Sequence, residues 1–460
     1  MTDAITVTAP YDGRTLATLP ACNDADIDRA VATAVHLHAS GPLPAHERAA
    51  ILDRASTAIG ENAERLARLL SDEAGKPIST ARGEVNRAVD TFRFSAAVAR
   101  THAGEVVPMD ASPAGEGKLG FVMRVPIGVV VGISPFNFPL NLVAHKVAPA
   151  IAAGCPIVLK PASATPLTAL ALADLLRDEC GLPDGWLQVL TLKGSATNRL
   201  VEHPDVAMVT FTGSPDVGWA IRQRVPRKRV GLELGNNTPV IIEPGADLVR
   251  AAAKIAVSGN SYAGQSCISV QRVLVHADVA DELIDELVAE VETLVVGDPA
   301  DDATQVGSLI DQGETERVAS WIEEATAAGA EVRTGGSVID GLVRPTVLTG
   351  VSPDMKVCAE EVFGPVLGVS TYTDVDDALA AANDTKYGLQ AGIFTPDIDV
   401  ALRATRALRF GAVLVNEVPT WRADHMPYGG VGDSGNTREG PAYAVEEMTE
   451  RRLVVIHSDG

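Results

Sequence analysis

Cys267 lies in the run Ala263-Gly264-Gln265-Ser266-Cys267-Ile268-Ser269, between a Gly/Gln turn and a β-type segment. A thiol in that setting is presented to solvent as a nucleophile, and its chemistry would be covalent. Most free cysteines are instead small buried apolar groups. The other four, Cys22, Cys155, Cys180 and Cys358, sit in helix-like or apolar runs and read as that kind. Five scattered cysteines without CxxC spacing, and no His/Cys cluster, indicate neither a disulfide framework nor a metal site. Reduced thiols and a cytoplasmic setting are the expectation.

Two loops have the form of anion sites at the carboxyl ends of strands, where a helix N-terminus offers unpaired N–H groups. In Lys160-Pro161-Ala162-Ser163-Ala164-Thr165-Pro166 a strand ends in lysine, with Thr165 as N-cap and Pro166 as first helical residue. In Phe211-Thr212-Gly213-Ser214-Pro215 a second strand ends and Ser214 caps the next helix. Each alone reads as a well-capped turn; together they make a nucleotide cradle. Gly430-Val431-Gly432-Asp433-Ser434-Gly435 matches GxGxxG but follows no buried strand, so it is not a dinucleotide fingerprint. No GxxxxGK[ST] loop and no GxSxG elbow is present, which argues against an NTPase or a serine hydrolase.

The elements that must hold these groups alternate. Helical periodicity covers residues 24–37, 46–70 and 80–102, forming an N-terminal helical layer. Apolar strands at 128–133, 156–160, 187–192, 207–211 and 239–242 are separated by helical runs such as 167–177. That rhythm predicts an α/β fold with a mostly parallel, doubly wound sheet. Helices at 278–294, 314–328 and 374–382 belong to a second α/β domain, with the boundary near residues 233–244. A chain of 460 residues, 46% hydrophobic and 21% charged, suits two or three soluble domains. The net charge of -22 disfavours nucleic acid and anionic membrane partners. Met1-Thr2-Asp3-Ala4 lacks a leader pattern, and the apolar stretch 141–159 is broken by His145, Lys146, Pro149 and Pro156, so no bilayer span is predicted.

The chain resembles the aldehyde dehydrogenase superfamily through seven motifs in family order. They are Pro135-Phe136-Asn137-Phe138-Pro139, Lys160-Pro161-Ala162-Ser163, Phe211-Thr212-Gly213-Ser214, Glu233-Leu234-Gly235, Gly264-Gln265-Ser266-Cys267, Glu360-Glu361-Val362-Phe363-Gly364-Pro365 and Pro427-Tyr428-Gly429-Gly430. The surroundings, Asn141-Leu142-Val143-Ala144-His145-Lys146-Val147 and Asp424-His425-Met426-Pro427-Tyr428, are most similar to the lactaldehyde dehydrogenase-like group.

The resemblance implies a mechanism. Cys267 attacks an aldehyde to give a thiohemiacetal, Asn137 and the cysteine N–H hold its oxyanion, and after hydride transfer to a nicotinamide Glu233 activates water against the thioester. It also implies a cofactor site formed by Ile133, Ser134, Pro135, Phe136, Lys160, Ala162, Ser163, Thr212, Gly213, Ser214, Leu234, Gly235, Glu361 and Phe363. Ser163 replaces the glutamate of NAD-preferring members, so NADP is expected to be accepted beside NAD and even preferred, with Lys160 and Lys193 near its phosphate. Ser266, where relatives that use phosphorylated aldehydes carry arginine, disfavours a strongly anionic substrate; a small hydroxylated or short-chain aldehyde is expected.

Asn236, Gly432 and the pair Asn436-Thr437 depart from common family residues and bear on specificity more than activity. Arg93, His145, Arg422 and His425 are candidates for an anion-tolerant pocket, with Asn141 beside them, all outside the catalytic set. The implied domains are 1–111 with 125–234 for NAD(P), 235–440 for catalysis, and 112–124 with 441–460 as a bridging element that makes a homodimer or homotetramer. A CoA-acylating dehydrogenase, which typically lacks the carboxylate at Glu233, and a non-catalytic binding protein on the same fold are the competing readings.

Overall fold

Every residue of the strand Val129–Ile133 is buried, as its unbroken Val/Ile/Gly run requires of a strand covered on both faces. In the computed structural model, which describes residues 4–194 and 196–457, it is the centre of a five-stranded parallel sheet. The sheet order is Leu187–Val189, Ile157–Lys160, Val129–Ile133, Val206–Thr212, Arg229–Glu233. The chain builds outward on one side, then crosses and builds on the other. That reversal opens a crevice at the carboxyl ends of Val129–Ile133 and Val206–Thr212, the place where such sheets bind ligands.

A seven-stranded sheet forms the second α/β body, with Thr238–Ile242, Val270–His276 and Val366–Tyr372 side by side near its centre. Its pairings are parallel except for the edge strand Glu331–Thr334. Cys267 lies just before Val270–His276, and Glu233 ends the last strand of the first sheet. A third, antiparallel sheet joins Val106–Val107, Lys118–Pro126 and Thr449–His457, leaving Leu119, Met123, Leu453, Val455 and Ile456 exposed. The helix Pro441–Glu447 before it packs elsewhere: Val445 and Met448 enter the core shared by the N-terminal helices and the first sheet.

Several expected elements are shorter or split. The helix expected at 46–70 is two, Ala45–Glu61 and Ala63–Ala74. Asn62 breaks it, because its side-chain amide donates back to the Ala58 carbonyl at 2.9 Å and competes with the helical backbone. The strand expected at 187–192 keeps only Leu187–Val189; Thr191 turns away to accept from the Cys22 N–H at 2.8 Å. The helix expected at 278–294 opens with a 3-10 turn, Ala277–Val279, before Ala280–Glu292. Met1, Thr2 and Asp3, read above as lacking a leader, lie outside the described residues. Among the described residues no helix is long and apolar enough to cross a membrane.

Candidate active site

The loop that carries Cys267 is held in an unusual backbone. After the helix Leu248–Asn260, Tyr262 (φ 52°), Ala263 (φ 52°) and Gly264 (φ 72°) are left-handed in succession. Such a run costs energy for residues with a Cβ and persists only where its surroundings over-determine it. Here the Tyr262 hydroxyl donates to the Ala74 carbonyl at 2.9 Å. The buried Gln265 amide donates to Tyr262 and Ser308 carbonyls at 3.3 and 3.2 Å and accepts from the Ile310 N–H at 2.9 Å. Gly264 is required outright, since a Cβ there would stand 2.2 Å from the Gly364 carbonyl oxygen.

The pinned loop aims the thiol at several partners. Cys267 Sγ lies 2.9 Å from the Tyr428 hydroxyl. Asn137 Nδ2 donates to the Gln265 carbonyl at 3.0 Å, which fixes the amide against the nucleophile loop while its second N–H stays available. Among the described residues no group accepts from the Cys267 backbone N–H. Two donors, the second Asn137 N–H and the Cys267 N–H, are therefore open beside this loop. Burial pushes the Cys267 thiol up to about 12, and the Tyr428 hydrogen bond opposes that rise.

Glu233 is buried with both carboxylate oxygens unpartnered. Burial, then the nearby Glu439 carboxylate, raises its pKa well above the ordinary range, while Arg422 and Lys146 pull it back. Glu439 is held ionised chiefly by Arg422, whose Nη2 donates to it at 2.9 Å. Lys146 Nζ donates to Thr212 Oγ1 at 2.7 Å and stands 3.8 Å from Glu439. A buried carboxyl raised in this way holds its proton more tightly than an exposed one.

Two cavities meet at Cys267 and Glu233. The first, about 480 Å³, is a groove lined by every residue expected at the cofactor site, from Ile133 to Phe363, together with Asn137, Cys267 and Glu233. Its donors fit a dinucleotide: Ser134 Oγ is buried without a partner, and the Ser214 side chain caps nothing at the helix Pro215–Arg224, so first-turn N–H groups remain open. Glu361 accepts from the Asn236 N–H at 3.0 Å, and burial raises its carboxyl to about 7. Phe363 meets Phe136 edge-on at 5.9 Å.

The second expected anion site is closed. Glu73, from the helix Ala63–Ala74, accepts from the Leu167 and Thr168 N–H groups at 2.7 and 2.9 Å and fills that helix N-terminus. Pro166, not Thr165, occupies the cap position, and Leu167 begins the helix. Lys160, Ala162 and Ser163 still line the groove, but through their side of the loop and not through the helix end.

The second cavity, about 210 Å³, is lined by Cys267, Glu233, Arg87, Arg422, Tyr428, Thr80, Ser258, Ser261, Ser266 and Thr420 and by the apolar side chains of Phe138, Leu142, Leu234, Val257 and Ile268. Asn141 and Arg422 line it; Arg93 is exposed and paired with Asp90, and His425 packs on Phe94 at 4.6 Å. His145 is fully buried behind the wall, bonded to Asp424 at 2.9 Å. Arg87, Tyr262, Tyr428 and Thr420 escaped the sequence reading as site residues. Only Tyr428 had a local signal, its place in the Pro-Tyr-Gly-Gly motif.

Comparison with known proteins agrees with this geometry. A model of the Aldehyde dehydrogenase family matches residues 1–454. The chain is 46% identical to a 3-sulfolactaldehyde dehydrogenase of Priestia aryabhattai, over 94% of this chain and 90% of that one. It is 38% identical to a lactaldehyde dehydrogenase of Methanocaldococcus jannaschii, over 97% and 96% of the two chains. Among solved structures it is similar to a glyceraldehyde-3-phosphate dehydrogenase from Methanocaldococcus jannaschii complexed with NADP, with a TM-score of 0.95, 38% identity and full coverage of both chains.

Proposed function

Because this chain belongs to the aldehyde dehydrogenase family and is an NAD(P)-dependent aldehyde dehydrogenase, we propose that Cys267, Asn137 and Glu233 are the residues that carry its reaction. The supporting observation is that all three line the cofactor groove and that Cys267 and Glu233 also line the second cavity that meets it. The Cys267 thiol gives up its proton to solvent, its sulfur forms a bond to the aldehyde carbon, and the carbonyl electron pair moves onto oxygen. Asn137 Nδ2 and the Cys267 N–H donate to that oxyanion. The groove residues would hold a nicotinamide, which would supply the hydride acceptor needed for a thiohemiacetal on Cys267 to become a thioester. Glu233 then takes a proton from water as its oxygen attacks, the C–S bond breaks, and the acid leaves with the thiolate restored. A buried carboxyl with no other partner supports hydrolysis over transfer to CoA.

The substrate we assign is a small hydroxylated or short-chain aldehyde, since the cavity is small and joins serine and threonine residues to apolar side chains. A second reading, an aldehyde with an anionic far end like the substrate named for the Priestia relative, is favoured by Arg87 and by Arg422, whose Nε is buried without a hydrogen-bond partner. NADP is assigned as the preferred cofactor because Ser163 brings no carboxylate to the groove; its hydroxyl donates to the Leu192 carbonyl at 3.1 Å. The division into 1–111 with 125–234, 235–440, and 112–124 with 441–460 is supported by the five-stranded, seven-stranded and three-stranded sheets, although Val106–Val107 and the end of Lys118–Pro126 pair within the third. The exposed apolar residues of the third sheet support a homodimer or homotetramer. A nucleophilic thiol supports a reducing, cytoplasmic setting.

Absorbance of NAD(P)H across an aldehyde panel, including lactaldehyde and 3-sulfolactaldehyde with both cofactors, tests substrate and cofactor together. Cys267→Ala should abolish turnover. Glu233→Gln should keep one burst of reduced cofactor and lose the steady rate; a steady rate restored by CoA, or turnover without Cys267, would overturn the mechanism.

A further inference from the structure

The cysteine has one side-chain hydrogen-bond partner among the described residues, and it is a phenol. Tyr428 Oη lies 2.9 Å from Cys267 Sγ. With a neutral thiol either atom can donate; with a thiolate only the tyrosine can. The ring is held firmly. Tyr428 exchanges two backbone hydrogen bonds with Glu439, at 3.1 and 2.6 Å, in an isolated antiparallel bridge. The Arg422 guanidinium stacks on its face 3.7 Å from the ring centroid, and that guanidinium is itself fixed by Glu439, to which its Nη2 donates at 2.9 Å. A cation on the ring face draws electron density from the phenol and makes its O–H a stronger donor. The following residue is as constrained, since a Cβ on Gly429 would stand 2.6 Å from Glu233 Oε1. One loop thus sets a hydroxyl against the sulfur and packs on the carboxyl.

We propose that Tyr428 is a catalytic residue whose hydroxyl, polarised by the stacked Arg422, donates to the Cys267 sulfur as thiolate, both when it attacks the aldehyde and when it leaves the thioester. This rests on the reading of Cys267 as the nucleophile. In the first step the sulfur lone pair forms the S–C bond and the carbonyl pair moves to oxygen. In the last step the C–S pair returns to sulfur while Glu233 holds the proton taken from water. Tyr428 keeps its own proton throughout. The charged groups that face this pair are Arg422, which favours the thiolate, and Glu233 and Glu361, which oppose it. Without the phenol only one cation would stand against two carboxyls and the burial of the sulfur.

The test is the rate of Cys267 alkylation by iodoacetamide, followed from pH 7 to 10 with peptide mapping, in the protein and in Tyr428→Phe. Loss of a hydrogen bond to a charged group raises the thiol pKa by about one to two units. After the gain in intrinsic nucleophilicity is counted, alkylation at fixed pH should slow by about three- to tenfold. The cofactor KM should stay unchanged. An alkylation rate that is unchanged or faster overturns the proposal. Should Tyr428→Phe not fold, 3-fluorotyrosine at position 428 takes its place: the more acidic phenol should speed alkylation by about twofold, and no change or a slower rate overturns the proposal. Loss of turnover on alkylation of Cys267 separately tests the nucleophile, so the two readings fail on different measurements.

Discussion

Glu84 offers the most demanding test of how the site is held. It is buried, yet one carboxylate oxygen accepts from the Leu140 and Asn141 N–H groups at 2.9 and 3.0 Å, and the other pairs with the buried Lys76 ammonium. Lys76 in turn sits over the Phe138 ring at 3.8 Å and the Tyr262 ring at 4.5 Å. The pair therefore ties the loop of Asn137 to the strained turn that leads to Cys267. Glu84→Gln keeps the shape and the oxygen that accepts from both N–H groups, but turns an amide NH2 toward Lys76 and strands an ammonium in a site with no exposure. Breaking one side of a buried pair costs about 3–5 kcal/mol. For a cooperative unit of about 200 residues that is a fall in Tm of roughly 6–20 °C.

The variant also acquires a pH signature. Burial already depresses the Lys76 pKa and Glu84 opposes it, so without Glu84 the folded lysine loses its proton more readily than the unfolded one. The unfolded state then binds more protons, and the deficit should shrink as pH rises from 7 to 9. Lys76→Met should cost less, about 1–3 kcal/mol, because the carboxylate keeps two backbone donors at a helix N-terminus. Calorimetry of both single variants and Lys76→Met/Glu84→Gln at the two pH values, with kcat beside it, measures the coupling. The double variant should regain about 2 kcal/mol of the Glu84→Gln loss, roughly half of the cost of the stranded charge. Strictly additive losses, or a Glu84→Gln protein as stable as the parent, would refute the reasoning.

Four further outcomes are expected. Gly235→Ala should raise the cofactor KM by about tenfold with little change in Tm, because a Cβ there would stand 2.3 Å from Glu361 Oε2 and displace a flexible carboxylate and not the backbone; initial rates and calorimetry check it. Ser163→Glu should lower kcat/KM for NADP by about 100-fold and leave NAD nearly unaffected, measured from paired kinetics. Asn137→Ala should lower kcat by about 10²–10³-fold, some 2.7–4 kcal/mol of oxyanion stabilisation, while Cys267 alkylation stays within twofold by mapping. The cofactor KM should fall as pH rises from 6 to 8, because burial raises the groove carboxyl of Glu361 to about 7 and its ionised form is the stronger hydrogen-bond acceptor; Glu361→Gln should flatten that profile.

The local parts of the site were legible because local physics writes them. Gly264 has to be glycine where the turn meets the Gly364 carbonyl, and Ser214-Pro215 opens a helix as its residue types predict. The parallel sheet followed from buried runs such as Val129–Ile133. The misreadings share a cause. Thr165-Pro166 looked like an open anion site because nothing near it in sequence announces Glu73, 95 residues before Thr168. The helix expected at 46–70 kept its apolar period across Asn62, and periodicity does not register a single side chain bonding its own backbone.

By itself the sequence determined the α/β rhythm, the nucleophile loop and the order of the motifs, since these depend on steric preference and periodicity over a few residues. Tertiary structure alone decided which groups meet: Tyr428 with Cys267 across 161 positions, Arg87 with Asp424 across 337, and Lys76 with the rings that frame the loop. Such pairs leave no local trace, because burial and charge pairing are properties of the packed chain. Of these, Tyr428 bears directly on the protonation of the Cys267 thiol, while Glu233 answers to burial and to Glu439, Arg422 and Lys146.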